Sequence, residues 1–548
     1  MSLWDELLNP ALPENVLHTW EGDRFAATSW GELTSEGLRK AAGLRELGVA
    51  EGSNVACVLT NSRDVCSSIL GVWAAGGTVL SVPTPARGMA IDDYQAQVGR
   101  ICAQADAELL LTEERFGSAL NIPDGPRSAF YERLDGEPGP ASPQAVDAPA
   151  LVQYSSGTTG EPHGCVLTAA AIASHLERLR EKLGIDPARD RIVSWLPLSH
   201  DMGLIGTLMV CWGIGTDLVV GTPERFLASP RTWVQDCVDF EATITVGPSF
   251  AVKVAARAAA TSPPSGDLAL RIWIVGSDHV GWEALEAINE ELGPAGLRRS
   301  MMTPAYGLAE ATLAVTMTAL ELEPESMVVD SQALLGGSLR EVSPDHEHAG
   351  RIVGSGTPLR GTEVRIDPEG AAELGDFGPD REVGEICVRS PSLATGYYGS
   401  PERSGSRFRD GELRTGDIGF LDGEQLYVLG RSDDMFVVAG RNIHAGELEA
   451  LMMREPGVRP GGCALIDLHG QSDRVLCLVE TESDFSARDQ LARSISGIAL
   501  SHAGIRVREC VFVARGALPK TPIGKVQRYR CRELAVAEDD RVLGRVRT

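Results

Sequence analysis

Through the first 430 residues, short runs of β-branched and aliphatic residues alternate with longer stretches whose apolar positions recur every three to four residues. The runs VACVL (55–59), AELLLT (107–112), IVSWL (192–196), TDLVV (216–220), TITVG (243–247) and RIWIVG (271–276) read as buried strands. Between them, SEGLRKAAGLREL (35–47) and AAAIASHLERLREKL (169–183) carry helical spacing. Such alternation predicts α/β layers with mostly parallel sheets. Two segments read as loops: the Pro/Gly/Ala-rich 121–149, and 321–350, which lacks sustained periodicity. After GRSDD (430–434) a second, shorter α/β pattern runs to the end. The expected fold is therefore a large N-terminal α/β domain of layered sheets and helices over 1–430, a boundary at 431–434, and a small C-terminal α/β domain over 435–548. There are no internal repeats.

Composition narrows the functional classes. At 548 residues the chain is too long for one small core, and 43% hydrophobic with 23% charged residues is an ordinary globular balance. A formal net charge of −26 argues against a nucleic-acid partner and against anionic membrane surfaces. No charged-then-apolar leader and no apolar run of roughly 18 residues suggests export or an integral membrane segment. The eleven cysteines contain no C-x-x-C pair, and Cys237 falls in a helical stretch; reduced, buried thiols in a cytoplasmic protein are expected.

The stretch LVQYSSGTTGEPHG (151–164) is the first sign of chemistry. Gly157, Gly160 and Gly164 permit a tight turn behind an apolar strand, while Ser155, Ser156, Thr158 and Thr159 add hydroxyls to exposed backbone N–H groups. That combination suits phosphate. The NTPase P-loop is excluded, because its motif ends Gly-Lys-Ser/Thr and this one ends Pro162-His163-Gly164. Alone, such a run is also the composition of a plain surface loop.

Four further stretches change the weighing. They are WLPLSHDMGLIG (195–206), TPAYGLAEATLAV (303–315), LRTGDIGFLDGEQLYVLGRSDDMFVVAGRNIHAGELE (413–449) and LPKTPIGKVQR (518–528). With the glycine-rich loop, in this order and across nearly the whole chain, they resemble the adenylate-forming superfamily of acyl-CoA synthetases, luciferases and peptide-synthetase adenylation domains. The resemblance implies an ATP-dependent reaction in which a carboxylate attacks the α-phosphorus, giving an acyl-adenylate and pyrophosphate. Residues Ser155, Ser156, Gly157, Thr158, Thr159 and Gly160 would cradle the β- and γ-phosphates. Glu310 would help hold Mg²⁺ as a hard oxygen ligand. Gly276 and Ser277 would frame adenine by backbone contacts, with Tyr306 and Gly307 beside them. Asp417 would accept the ribose hydroxyls, and Arg431 would reach the ribose or the phosphates. Lys525 would be the catalytic lysine, a mobile point charge for carboxylate and α-phosphate, with Gly524 letting its loop bend. The region 515–548 holds nine Lys/Arg and four Asp/Glu, so it is locally cationic. His200 would gate or orient the acid, and Asp433 would be the hinge of a mobile C-terminal domain.

Within the superfamily, three stretches are similar to the fatty acyl-AMP ligases, which transfer the acyl group to the phosphopantetheine of a holo acyl carrier protein. They are WLPLSHDMGLIG with TPERFLASPRTWVQDCVDFEATITVGPSFA (222–251), GRNIHAGELE (440–449), and MVVDSQALLGGSLREVSPDHEHAGRIVGSGTP (327–358). The last looks like the insertion that braces the two domains and hinders coenzyme A. Three departures bear on the substrate: His163 replaces a usual lysine, VGSDHV (275–280) stands where Gly-Ala-Glu-Pro is usual, and GPSFAV (247–252) replaces a bulkier version. A fatty acid and a specialised secondary-metabolite acid both remain open. So do a coenzyme A ligase and an amino-acid activator, although DMGLIG after His200 lacks the Phe-Asp-x-Ser arrangement of the latter. A non-catalytic nucleotide binder has no use for Lys525.

Overall fold

The computed structural model describes residues 2–548 except 86–88, 118–119, 121, 123–124, 156–162, 336–337, 369–381, 432–434, 439–440, 460, 468–474, 482–484, 504, 521–525 and 538. Two large sheets dominate it. The first has nine strands, and its centre is the parallel run Met302–Gly307, Ile272–Gly276, Ile244–Pro248, Arg191–Ser194, Asp217–Val220 and Val16–Trp20. The second has six strands, five of them parallel, and ends in an antiparallel pair formed by Pro149–Ser155 and His163–Thr168. Every strand read from the sequence is present, displaced by one or two residues at its ends.

The helices follow from local chemistry. In Ala169–Leu183, Thr168 accepts the Ala171 N–H at the N-cap and Gly184 adopts the left-handed conformation (φ 54°) at the other end. Its buried residues Ile172, His175, Leu176, Leu179 and Leu183 keep the three-four spacing that faces one side. All eleven cysteines are free and buried. Among the described residues, no helix is long and apolar enough to cross a membrane.

Two expectations need correction. The segment 321–350 is not a plain loop: Ser326–Asp330 pairs with Ala349–Val353, and helix Ser331–Leu335 lies between them. Likewise, 121–149 contains strand Arg127–Phe130, which extends the six-stranded sheet. Elements this short show no period, and RSAF (127–130) and AGRIV (349–353) also lack the continuous aliphatic run that marks the core strands, so their partners reveal them. A third sheet, built from Glu363–Asp367, Val383–Arg389, Phe408–Arg409, Glu412–Asp422 and Gln425–Arg431, is wholly antiparallel. It departs from the mostly parallel pattern and carries Asp417 opposite Arg431.

The C-terminal residues form a separate four-stranded sheet, Cys463–Asp467, Val475–Glu480, Val507–Val513 and Val542–Arg547. One apolar cluster joins it to helices Ala445–Met452 and Phe485–Ala503, and another to helix Arg528–Val536.

Candidate active site

Four parallel strands end side by side, and the candidate residues stand on those ends. Pro248 is the register partner of Gly276, Val275 of Pro304, and Thr245 of Val193. The Trp195–His200 loop, Pro248–Ser249, Gly276–Ser277 and Tyr306–Gly307 therefore leave the sheet at one edge. Open α/β sheets bind ligands beyond the carboxyl ends of their strands, where outgoing loops splay apart.

Two backbone features mark this edge. Ser277 has φ 70°, in the left-handed region. A Cβ on Gly307 would lie 1.9 Å from the Leu313 carbonyl oxygen, so no larger residue fits there. The Tyr306 hydroxyl donates to Asp417 Oδ2 at 2.6 Å. Burial and then the Asp417 charge push the phenol well above its ordinary range, which keeps it a donor. Arg431 stands opposite Asp417 in the antiparallel register, its Nε 3.8 Å from Asp417 Oδ1. The antiparallel sheet thus delivers Asp417 and Arg431 to the parallel strand bearing Tyr306.

Asp278, one of the departures, has a structural task. Its carboxylate accepts the N–H groups of Ser249 at 2.7 Å and Phe250 at 3.2 Å, capping helix Ser249–Thr261 from the neighbouring strand end. His279 is exposed.

Ser155 and His163 face each other at the base of an antiparallel hairpin. Between these strands in the sequence stand Ser156, Gly157, Thr158, Thr159 and Gly160, which lie outside the described residues; Ser155 is described in its backbone alone. Residues 395–398 run alongside this hairpin, with Tyr398 N–H donating to Gly164 at 2.8 Å and Cys165 bridged to Tyr397. This carries the Tyr397 hydroxyl to Glu310 Oε1 at 2.8 Å, and the His163 ring centroid is 6.0 Å from that of Tyr397. Glu310 therefore sits beside the base of the phosphate-type loop. Its single carboxylate, steadied by a neutral donor, fits a magnesium ion, which prefers one or two carboxylates together with phosphate oxygens. Two residues later Thr312 adopts φ 72°, a strained geometry for a β-branched residue, with its hydroxyl donating to Ser392 at 2.5 Å.

The His200 loop is tied down from several directions. Asn61 donates to the Leu196 and Gly221 carbonyls at 2.9 and 2.7 Å and accepts the Leu198 N–H at 3.0 Å. Gln153 donates to the Ser199 carbonyl at 2.8 Å. Gly203 is forced by a close approach, since a Cβ would lie 2.2 Å from the Pro197 oxygen. His200 Nδ1 is 2.7 Å from Asp201 Oδ1, which also accepts the Met202 N–H at 2.7 Å. A ring nitrogen donating to that carboxylate cannot also accept from Met202, whose longer approach to Nδ1 is 3.3 Å. Burial pushes Asp201 up, but the charge of His200, its hydrogen bond and that of Met202 outweigh this and hold the carboxyl below its ordinary value. The helix beyond His200 widens into a π-turn over Leu204–Met209, a distortion frequent at functional sites.

The geometry brings Tyr306, Asp417 and Arg431 together, and sets Glu310 beside the phosphate-type hairpin. Lys525 and Asp433 lie outside the described residues. Reasoning from the sequence missed Tyr397, Asn61, Asp201 and His175. Tyr397 left a faint signal in the Gly-Tyr-Tyr-Gly run 396–399; the partners of Asn61 and His175 lie 135 or more positions away in the chain, and Asp201 stands in a motif as a neighbour only.

Known proteins have the same arrangement of sequence. The family of AMP-binding enzymes matches residues 11–398. The chain belongs to that family and is an adenylate-forming ligase; enzymes of the family use ATP. It is 28% identical over 546 residues to the long-chain-fatty-acid–AMP ligase FadD26 of Mycobacterium marinum, covering 93% of this chain and 91% of that one. It is 28% identical over 497 residues to the medium-chain-fatty-acid–[acyl-carrier-protein] ligase JamA of Moorena producens, covering 85% and 83%. A solved structure from work on the fatty acyl-adenylate ligases of E. coli and L. pneumophila superposes with a TM-score of 0.88 at 23% identity, over 97% of each chain. Other relatives carry coenzyme A names.

Two outcomes follow from the geometry. His175 is buried, and its Nε2 accepts the Ala314 N–H at 3.1 Å next to the strained turn. Burial, then the Arg178 charge, hold its pKa down to about 3 from 6.5. The unfolded ring takes a proton near pH 6.5 and the folded one does not, so stability falls as pH drops through that window, by about 1.4 kcal/mol per pH unit. His175→Gln keeps an acceptor, and urea midpoints measured from pH 6.5 down to about 4.5 are expected to decline less steeply than in the wild type. Asp278→Ala is expected to cost about 1 kcal/mol or more of stability through the lost helix cap, while Asp278→Asn leaves the KM for ATP unchanged. A large rise in that KM would make Asp278 a nucleotide ligand instead.

Proposed function

We propose that this ligase activates a fatty or fatty-like carboxylic acid and delivers it to the phosphopantetheine thiol of an acyl carrier protein. In the first step a carboxylate oxygen attacks the α-phosphorus of ATP, the bond to the β-phosphate breaks, and pyrophosphate leaves. Two anions must approach each other, so positioned positive charge and dipoles dominate the barrier. In this reading the hairpin loop holds the β- and γ-phosphates, Glu310 binds Mg²⁺ with Tyr397 steadying it, and Asp417 and Arg431 take the ribose side. The magnesium ion would neutralise phosphate charge. His200, oriented by Asp201, faces the acid, and Lys525 approaches the reacting oxygens from the C-terminal domain. That domain, 435–548, then turns about 431–434 and withdraws Lys525 to admit the thiol.

The observation that carries the choice of acceptor is the segment 326–353. On one side, Met327, Val329, Leu334 and Ile352 share a core with Ile418, Phe420 and Tyr427, and the Arg351 guanidinium lies 4.8 Å over the Trp282 ring. On the other, helix Ser331–Leu335 lies against helix Phe485–Ala503 and strand Arg441–His444. A segment packed on both bodies raises the cost of turning one against the other. A docked carrier protein has enough surface to offset that cost, and free coenzyme A has less. The carrier-protein name of JamA supports the same reading.

Acyl-adenylate consumption should be fast with holo-carrier and slow with coenzyme A, and shortening 327–350 should narrow the difference. Robust acyl-CoA formation by the intact protein would move it to the coenzyme A ligases. The nucleotide roles separate by titration: Asp417→Asn is expected to weaken ATP binding, because an amide places a donor against a hydroxyl. Glu310→Gln is expected to raise the magnesium requirement. Identical ATP and Mg²⁺ profiles for the two variants would sink that division.

A further inference from the structure

The C-terminal domain contains a buried ion pair that none of the motif reasoning used. Arg528 and Glu449 meet in a bidentate pair: Nη1 reaches Oε1, and Nη2 lies 3.0 Å from Oε2. Both side chains are almost enclosed, at 14% and 7% exposure. The pair also completes the outer edge of strand Cys463–Asp467, where Glu449 accepts the Leu465 N–H at 2.6 Å and Arg528 donates to the Leu465 carbonyl at 3.1 Å. Three segments distant in sequence are thereby joined at one residue, Leu465.

We infer that the Glu449–Arg528 pair positions the loop bearing Lys525 and couples it to the chain leaving the hinge segment. The inference rests on the reading of Lys525 as the residue that assists adenylate formation. Arg528 lies three residues beyond Lys525. Residues 521–525 lie outside the described residues; on either side of them Lys520 and Val526 form a β-bridge, and the Gln527 N–H donates to the Pro519 carbonyl at 2.9 Å. On the incoming side, Glu480 accepts the Leu518 N–H at 2.9 Å. On the outgoing side, the charged contact of Arg528 with Glu449 fixes the direction in which the base leaves the sheet. Glu449, in turn, sits on helix Ala445–Met452, which directly follows the hairpin Met435–Val438 and Arg441–His444 beyond residues 431–434. A rotation starting there reaches the Lys525 loop through this pair without bending the sheet.

Two physical points favour positioning over simple stabilisation. Arg528 is the first residue of helix Arg528–Val536, where a cation opposes the helix dipole and needs a compensating carboxylate. Buried ion pairs contribute little net stability against their desolvation cost, but the fixed fork of arginine on a carboxylate sets direction and distance. Lysine in its place keeps the charge and loses the fork.

The test separates the two half-reactions in Glu449→Gln and Arg528→Lys, with Lys525→Ala as comparator. Pyrophosphate release with dodecanoate as probe acid reads the first step, and consumption of synthetic dodecanoyl-adenylate by pantetheine reads the second. Both variants are expected to lose between about 10- and 100-fold in kcat for pyrophosphate release, as for a displacement near 1 Å, with the KM for ATP unchanged. The second step should continue at the wild-type rate, since it proceeds with Lys525 withdrawn. Thermal melting of each variant accompanies the assays. A parallel fall of both steps together with the melting temperature would make the pair a structural brace and overturn the inference. So would wild-type pyrophosphate release by folded Arg528→Lys and Glu449→Gln while Lys525→Ala is impaired. If Lys525→Ala itself releases pyrophosphate at the wild-type rate, the reading of Lys525 falls, and the positioning role with it.

Discussion

The hydrogen bond from Tyr306 to Asp417 ties the site to the fold. A carboxylate buried this deeply is stable only with donors and positive charge around it. Tyr306 supplies the donor from the end of the parallel sheet, and Arg431 supplies the charge from across the antiparallel ladder. Around them Ala311, Val315, Ile386, Val388, Leu413 and Leu426 form an apolar cluster shared by both sheets. Keeping water out of that cluster strengthens the bond, and the bond in turn satisfies the Asp417 carboxylate. Docking of the sheets and assembly of the nucleotide side are therefore one event.

Strain collects where this docking brings the chain close to itself. Gly307 admits no Cβ, Thr312 is held at φ 72°, and Ser277 at φ 70°. Unfavourable backbone of this kind costs on the order of 1–3 kcal/mol per residue and persists only where packing overrules it. Here the packing includes the neutral His175, whose ring accepts the Ala314 N–H just beyond the turn. Glu310 is thus presented by a short, tight segment with little freedom, as suits the magnesium-binding role proposed for it.

The C-terminal residues use a different economy. Their sheet has its own two apolar clusters, and the ion pairs Arg530–Asp93 and Arg454–Glu283 that reach the large sheets are exposed. Exposed pairs of this kind hold little. Helix Ser331–Leu335, within the segment 326–353, adds a further contact to helix Phe485–Ala503 and strand Arg441–His444. A body with its own core and exposed ion pairs to its neighbours fits the domain rotation proposed above, and the Glu449–Arg528 pair lies inside that body.

Sequence by itself determined the strands of the two large sheets, because continuous runs of Val, Ile and Leu between helical repeats admit few other structures. It also pointed to the reaction class: five motifs in order resemble those of adenylate-forming enzymes, and of the residues they single out Tyr306, Asp417 and Arg431 come together while Glu310 lies beside the hairpin. What it left open were contacts between residues far apart. The strand Arg127–Phe130 and the elements within 321–350 were too short to carry a period. The antiparallel sheet depends on which strands meet, and local sequence does not record that. Tyr397 belongs to the site only because residues 395–398 run beside the hairpin at 163–168, and Asp278, an odd residue in a nucleotide motif, proves to cap the helix at Ser249. Hydrophobic period is a local property that one segment carries alone; a hydrogen bond between residues a hundred positions apart exists only once the chain has folded.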